Sequence, residues 1–436
     1  MIPDAVPPRS RATVNRARAR ISAGLRERAP SPGLPFGPAP PCTSRAPPGC
    51  RYNPRAMKKI AILGCGLIGN VIARDLAADP GLEVTVFDRS EEALARVAAG
   101  GRIATKTADL SSREDIGRAV SLADAVVGAV PGFLGRNMLR AVIAAGKPIA
   151  DISFAPEDPL DLDGEARANG VTAVVDCGVS PGLSNFAAGR AASRLDEIDS
   201  LTIYVGGLPA VRRWPYEYAI VFSATDVIEE YTRPARVVEN GRVVVKPALS
   251  EIEKLDFEGV GTLEAFLTDG LRTILSTIPA RDMKEKTMRY PGHAELMRVF
   301  RDSGFFGESP IPVRGVPVAP RDLTERLLFA AWKLPEGHAE LTVLRVIVEG
   351  KRNAARERHV FDLLDRTDPA TGTTSMARTT GFPCAIVARM LAAGEYADPG
   401  IRALEHLGRL DEASETLVAG LRSRGVAWKE SVVAIP

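Results

Sequence analysis

No stretch of the 436-residue chain offers eighteen consecutive apolar residues, so no membrane-spanning helix is expected. Histidine is scarce, with four in all, and the five cysteines stand apart at positions 43, 50, 65, 177 and 384. None forms a Cys-x-x-Cys or a metal-ligand spacing. That pattern favours free thiols in a reducing cytoplasm over a disulfide framework or a zinc site. No internal repeat is present. Acids are nearly missing from residues 1–56, which hold ten Arg, no Lys, and only Asp4 and Glu27. The other 380 residues carry 46 Lys and Arg against 52 Asp and Glu, so the formal charge of +2 hides a mildly acidic body. Nothing in that balance calls for a nucleic-acid partner.

Residues 1–56 also hold twelve Pro and show no apolar period. Such a segment cannot bury enough surface to offset its ordering entropy, and disorder is expected. It lacks the apolar core of a secretory signal. Its Arg-rich character suits an organelle transit peptide, but the prolines oppose an amphipathic helix. Met57 reads as the start of the folded chain and, on the favoured reading, of the protein.

What is present begins at Lys58. Ile60 to Leu63 is a short apolar run that reads as a buried strand, followed by Gly64-Cys65-Gly66-Leu67-Ile68-Gly69, the spacing G-x-G-x-x-G. A helical segment follows, and then a second strand, Glu83 to Phe87, ends in Asp88. Each glycine has a task in dinucleotide binding. Gly64 makes the tight turn, Gly66 lets backbone approach a pyrophosphate, and Gly69 lets helix lie on sheet. Free N–H groups at the helix start face the phosphates. The Asp88 carboxylate stands where ribose hydroxyls donate, which points to NAD, with NADP less favoured; Arg89 beside it is the residue type that accommodates a 2′-phosphate.

From Met57 strands and helices alternate, the pattern of a doubly wound parallel sheet. Ser90 reads as a helix cap. Asp109-Leu110 closes the third strand, beside the adenine. Ala129-Val130-Pro131 closes the fourth, facing the nicotinamide ribose, and Asp151 ends the fifth. After Gly178 the organisation changes. A helix spans Leu183 to Leu195. Val237 to Val245 reads as a hairpin about Asn240-Gly241. Leu341 to Glu349 and Arg356 to Leu364 read as another, turning through Gly350 to Asn353. Helices are expected at Leu263 to Leu275, His293 to Ser303, Leu323 to Leu334 and Thr374 to Leu391. The domains follow: a tail (1–56), a Rossmann domain (57–182), an α+β mixed-sheet catalytic domain (183–370), and a helical segment (371–436) packing back on the Rossmann domain.

Several motifs occur together in the second half: Asp176-Cys-Gly-Val-Ser-Pro-Gly-Leu-Ser-Asn185, Tyr204-Val-Gly-Gly-Leu-Pro209, Pro247-Ala-Leu-Ser-Glu251, Lys286-Thr-Met-Arg-Tyr-Pro-Gly-His-Ala-Glu295 and Met376-Ala-Arg-Thr-Thr-Gly381. On these, residues 57–410 resemble the saccharopine dehydrogenase family, and within it most resemble the lysine 6-dehydrogenase branch. The resemblance implies an NAD(P)-dependent oxidoreductase, commonly a homodimer, acting on lysine, saccharopine or carboxylated polyamines.

Oxidising an amine requires that the ammonium first lose a proton, so a base must stand near the nicotinamide. An amino-acid substrate also needs a cation for its carboxylate and an acid for its ammonium. Arg289 and His293 flank Tyr-Pro-Gly at a strand-to-helix junction, where guanidinium and helix N–H groups would share an anion; Arg289 equally suits a structural ion pair. His293 is a candidate proton carrier or a packing residue. Glu217 and Tyr218 would hold the ammonium, or be a solvated acid and a core aromatic. Asp151 points to the crevice or caps a turn. Lys286 is a further charge partner, and Arg212-Arg213 would serve a substrate with more carboxylates. The expected activity is deamination of the lysine ε-carbon to an aldehyde that cyclises. The alternatives are a saccharopine reductase and a nucleotide-binding regulatory protein without turnover.

Overall fold

The computed structural model describes residues 57–436, less the side chains of residues 224 and 225. The tail and its expected disorder lie outside the described residues. The nucleotide-binding half comprises β1 (Lys58–Leu63), α1 (Leu67–Ala77), β2 (Leu82–Asp88), α2 (Glu91–Ala98), β3 (Ile103–Thr107), α3 (Arg113–Val120), β4 (Ala125–Gly128), α4 (Gly132–Ala144), β5 (Ile149–Asp151), α5 (Asp163–Ala168) and β6 (Thr172–Val174). There follow α6 (Leu183–Ala192), β7 (Glu197–Pro209), α7 (Ala224–Thr232), β8 (Ala235–Glu239), β9 (Arg242–Lys246), β10 (Glu253–Phe257), β11 (Gly261–Leu267), α8 (Ile274–Thr277), β12 (Ala280–Arg289) and α9 (His293–Asp302). The chain closes with β13 (Ile311–Val313), β14 (Val316–Val318), α10 (Pro320–Trp332), β15 (Glu340–Arg352), β16 (Ala355–Arg366), α11 (Ser375–Ala393), β17 (Gly400–Arg402), α12 (Leu404–Gly408), α13 (Asp411–Ser423) and β18 (Trp428–Ala434).

The first sheet runs β17-β6-β5-β4-β1-β2-β3, all parallel. Its inner strands β4, β5 and β6 and the Ile60–Leu63 run of β1 are buried because both faces are covered, while the edge strand β3 is largely exposed. Ile60 and Ile62 of β1 pack with Ile72 and Leu76 of α1 and Leu94 and Val97 of α2, while Ala61 and Leu63 face Ile116 of α3 and Met138 of α4. Ser90 caps α2, its Oγ accepting from Ala93 N at 3.2 Å. The seventh strand, β17, comes from the far end of the chain and had no counterpart in the sequence reading.

The second sheet is mixed, in the order β10-β11-β12-β7-β15-β16-β18, with β8 paired to β12 and β9 to β8. Only β12 and β7 run parallel in it. Asn240 and Gly241 turn the β8–β9 hairpin at positive φ, 50° and 75°. No described helix is long and apolar enough to cross a membrane.

Two expectations need correction. Leu263 to Leu275 is not one helix: β11 occupies Gly261–Leu267, and only Ile274–Thr277 is helical. Leu263 and Ala265 pack in one cluster and Phe266 in another, because β11 is inserted between β10 and β12 with both faces covered. The β15–β16 hairpin turns at Asn353 and Ala354, with Arg352 opposite Ala355. Gly350 lies within the strand instead. It sits at a register shift where a Cβ would come 2.1 Å from the carbonyl oxygen of Glu197, so glycine is required there by close approach rather than by a turn.

One apolar core continues from the first sheet to the second, joining Val84 and Val86 to Ile203, Leu344 and Val346 through α6 and α11. Helix α11 touches α1, β4 and β5 on one side and β15 on the other. Asp75 of α1 fastens it: Arg389 reaches Asp75 Oδ2 at 2.6 Å, and Arg424 spans both oxygens at 2.7 and 3.0 Å.

Candidate active site

The glycine turn is shaped for a dinucleotide. Gly64 has φ +109°, and a Cβ there would lie 2.2 Å from the Ala129 carbonyl oxygen. A Cβ on Gly69 would lie 2.3 Å from the Gly64 oxygen, which shows how closely α1 approaches the turn. A Cβ on Gly66 would meet nothing within 4 Å. Gly66 therefore faces open space, as a backbone that receives phosphates must. Helix α1 has no side-chain cap and no acid in its first turn, so Leu67 and Ile68 present N–H groups to that space; α2 and α3 by contrast are capped by Ser90 and Ser112. Asp88 is fixed beneath the turn: Oδ2 accepts from Cys65 N at 2.7 Å and Oδ1 from Ser90 N at 2.9 Å. Arg89 and Asp109 are exposed, Leu110 and Val130 buried, and Ala129 half-buried ahead of Pro131. The Ser111 hydroxyl and N–H hold the Asp109 carboxyl below the usual range. These residues fit a dinucleotide.

At the carboxyl ends of β5 and β6 the two halves meet. Asp151 is buried against Gly128 and Met138, with Oδ1 accepting from Ser153 N at 2.9 Å. Burial pushes its carboxyl up to about 7. It lines a small cavity at these strand ends together with Ser153, Asp176 and Arg272. Past it, Arg272 pairs with Asp176 through two bonds of 3.1 Å and donates to the Ala155 oxygen at 2.7 Å. The Arg272 guanidinium stacks 4.7 Å from the Phe154 ring centre, and Arg233, just after α7, lies 6.0 Å from the same ring.

The turn from Arg289 to His293 does bind an anion, but the anion is the protein's own. Glu264 accepts from Gly292 N at 3.0 Å and Ala294 N at 2.5 Å, occupying the start of α9. Arg289 is buried, stacked 4.7 Å over Tyr218, donating to the Met288 oxygen at 2.9 Å and to Glu230 Oε2. The expected substrate-carboxylate site at this turn is thus filled by structural partners.

His293 is wholly buried. Its Nδ1 faces a carbonyl, Tyr216 O at 2.7 Å, and must donate to it; Nε2 then accepts from the Tyr231 hydroxyl at 2.8 Å. Burial and the Arg289 charge push the imidazole down to about 3. A neutral ring with both nitrogens engaged carries no proton to a substrate, which removes His293 from the proton carriers. Tyr218 is buried in the aromatic cluster with Trp332 and His293. Glu217 pairs with Arg212 at 2.8 Å on an exposed loop, and Arg213 donates to Lys333 O at 3.4 Å. Lys286 is held by Glu253 and the Glu251 oxygen.

The structure brings together acids that the sequence reading did not single out. Asp226 and Glu230 stand four apart on one face of α7. Glu285 of β12 is buried, bonded to the Thr268 hydroxyl, and leans over Gly270, where a Cβ would lie 2.5 Å from its carboxyl carbon. Burial raises the Glu285 carboxyl to about 8 and that of Glu230 to about 7. The available signals were an acid within an otherwise inward-facing strand pattern and the i, i+4 spacing on a short helix.

Two family models cover nearly all of this architecture. The saccharopine dehydrogenase NADP binding domain matches residues 60–174, and the saccharopine dehydrogenase C-terminal domain matches residues 178–426. The chain belongs to the saccharopine dehydrogenase family. Among curated members it is 22% identical to a saccharopine dehydrogenase [NADP(+), L-glutamate-forming] of Pyricularia oryzae, over 87% of this chain and 100% of that one. It is 24% identical to a carboxynorspermidine synthase of Vibrio cholerae, over 84% and 95%. The apo saccharopine dehydrogenase (L-Glu forming) of Saccharomyces cerevisiae superposes with a TM-score of 0.73 at 18% identity, covering 86% of this chain and all of that one, so the fold is shared. Membership makes the chain an oxidoreductase of the NAD(P)-dependent kind, related to enzymes of lysine metabolism.

Proposed function

We propose that the protein is a lysine 6-dehydrogenase, oxidising the ε-amine of L-lysine with NAD. One observation carries this reading. Around the crevice each guanidinium already has its own carboxylate: Arg233 has Glu229, Arg236 has Asp269, Arg272 has Asp176 and Arg289 has Glu230. Asp226 and Glu285 are left without a cation within ion-pair distance among the described residues. The surplus is acidic, which suits a substrate with two ammonium groups and one carboxylate better than one with three carboxylates. Arg212 and Arg213, the candidates for extra carboxylate binding, stand on an exposed loop with partners of their own.

The dinucleotide, once bound at Gly64–Gly69, supplies the hydride acceptor. The chain's own residues hold the cationic substrate at the acidic face of α7 and β12, and wall the reacting carbon with Phe154 and the Arg272 strap. Overall, one lysine ammonium, one oxidised dinucleotide and one water give one aldehyde, one ammonium ion, one reduced dinucleotide and one proton. The aldehyde cyclises with the α-amine to piperideine carboxylate.

The preference for NAD rests on Asp88, a carboxylate that accepts from ribose hydroxyls and repels a 2′-phosphate. The relatives that are saccharopine dehydrogenases [NADP(+), L-glutamate-forming] favour a second reading: reduction or cleavage of a secondary amine with NADP. A panel of L-lysine, saccharopine and carboxylated polyamines, each with NAD and NADP and followed at the absorbance of the reduced dinucleotide, separates the two. Turnover of lysine with NAD supports the first. Turnover of saccharopine alone, or a preference for NADP, replaces it.

A further inference from the structure

We propose that Glu230 is the base that takes the ammonium proton of the substrate, with Arg289 as its buried positioning partner. The proposal rests on the reading of the protein as an amine dehydrogenase.

Geometry singles Glu230 out. Helix α7 presents Asp226 and Glu230 four residues apart on one face, and Arg233 follows directly after the helix in extended backbone. Arg233 lies 6.0 Å from the Phe154 ring in the loop after β5, so the C-terminal end of α7, where Glu230 stands, is brought to the strand ends where the reactive part of a dinucleotide lies in an open parallel sheet. Glu230 is held from behind and free in front. Its Oε2 accepts from Arg289 Nη2, while Oε1 accepts no hydrogen bond among the described residues. The Glu230 side chain is 22% exposed, against 1% for Arg289. Arg289 is itself fixed by the Met288 oxygen and the Tyr218 ring, so the carboxylate is aimed by a rigid support.

The other candidates are excluded by placement. Asp151 is almost wholly buried, His293 has both nitrogens engaged, Glu217 is paired on a surface loop, and Glu285 is buried behind Thr268. The charged and titratable groups facing Glu230 are Arg289 and Glu285 of β12, Asp226 and Tyr231 of α7, and Tyr218 from the segment before it. Burial and Asp226 raise its carboxyl against the pull of Arg289, to about 7, a range that suits proton transfer near neutrality.

In the step assigned to Glu230, an N–H bond of the ammonium breaks and an O–H bond forms on Oε1; nitrogen keeps the electron pair. That pair then forms the C=N bond as the adjacent C–H bond breaks, its two electrons leaving as hydride to the bound nicotinamide. The substrate carbon is oxidised and the nicotinamide reduced. Glu230 returns its proton to solvent through its exposed side.

The test is Glu230→Gln in the full chain, an isosteric change that keeps an oxygen for Arg289. Dinucleotide affinity, measured by protein fluorescence, should be unchanged. With lysine or whichever amine of the panel turns over, kcat/KM should fall about 100-fold or more, and the acid limb of its pH profile near 7 should vanish. Glu230→Asp should be slower than wild type yet keep that limb. Infrared difference spectra between wild type and Glu230→Gln give a readout without turnover: a protonated-carboxyl band titrating near pH 7, present in the wild type alone. If an amine is oxidised and Glu230→Gln keeps near-normal kcat/KM with its acid limb, or the band is absent, the assignment to Glu230 is wrong. If the wild type binds dinucleotide but no amine reduces it, the amine reading falls and the base with it.

Discussion

Arg272 and Asp176 face each other through two hydrogen bonds of 3.1 Å, both side chains buried and both backbones at φ 50°. The pair ties the loop after β6 to the loop after β11, and so the nucleotide-binding sheet to the mixed sheet. Its surroundings spare neither charge much solvent, so each residue depends on the other.

Arg272→Ala should therefore lower stability by about 3–5 kcal/mol, since it strands a buried carboxylate. Urea unfolding measures this as a lower midpoint at an unchanged slope. The pair Asp176→Asn with Arg272→Met should recover part of the loss. Independent, additive effects of the two single changes would show that the strap does not couple them.

Acid should weaken the fold through His293. Its imidazole, at about 3 when folded against 6.5 when exposed, binds fewer protons in the native state across that window. Stability is then fully present above 6.5 and is lost as pH falls towards 3, by about 1.4 kcal/mol per pH unit at most. The raised carboxyls of Glu285 and Glu340 act with the opposite sign, because they hold protons in the native state that the unfolded chain releases. The comparison of wild type with His293→Gln isolates the histidine. The variant should lack this component of the acid slope, at a cost in stability near neutral pH, and keep the wild-type pH profile of turnover above pH 6. A changed profile would return His293 to the proton carriers.

Glu264→Ala should uncap α9. Removing a carboxylate that accepts from two N–H groups at a helix start costs about 1–2 kcal/mol. KM for the amine should stay as it is, because this anion site serves the helix and not the substrate. A large rise in KM with unchanged thermal stability would place the substrate carboxylate at the turn after all.

Asp88→Ser should shift preference towards NADP, by removing the charge that repels a 2′-phosphate and leaving Arg89 beside it. The ratio of kcat/KM for the two dinucleotides is the measurement. Equal or better use of NADP by the unmodified protein would rule out the assignment of NAD.

The nucleotide half was legible in the sequence because its signals are local. A buried strand, three glycines at fixed spacing, a helix and an acid at the next strand end lie within about thirty residues; Gly69 answers a contact with Gly64, Gly64 one with Ala129 just after the adjacent strand, and Gly66 the open space a phosphate needs. Ser90 capped α2 for the same local reason. In the second half the period misled. Leu263 to Leu275 suits a helix or a strand, and sheet insertion decided for the strand. Gly350 had the look of a turn, but the reason for it is Glu197, on a strand far away in sequence.

The site divides the same way. Sequence alone established a βαβ cradle for a dinucleotide, an acid at its ribose end, and a cation at a strand-to-helix junction. Only the tertiary structure decided what that cation does. β11 lies antiparallel to β12 with Glu264 opposite Arg289, yet Glu264 turns to the helix N–H groups and Arg289 turns to Glu230 on α7. Which carboxylate satisfies which cation depends on strand order and burial across residues 230 to 289. Local spacing holds no record of that choice, because in the unfolded chain every one of these charges is equally satisfied by water.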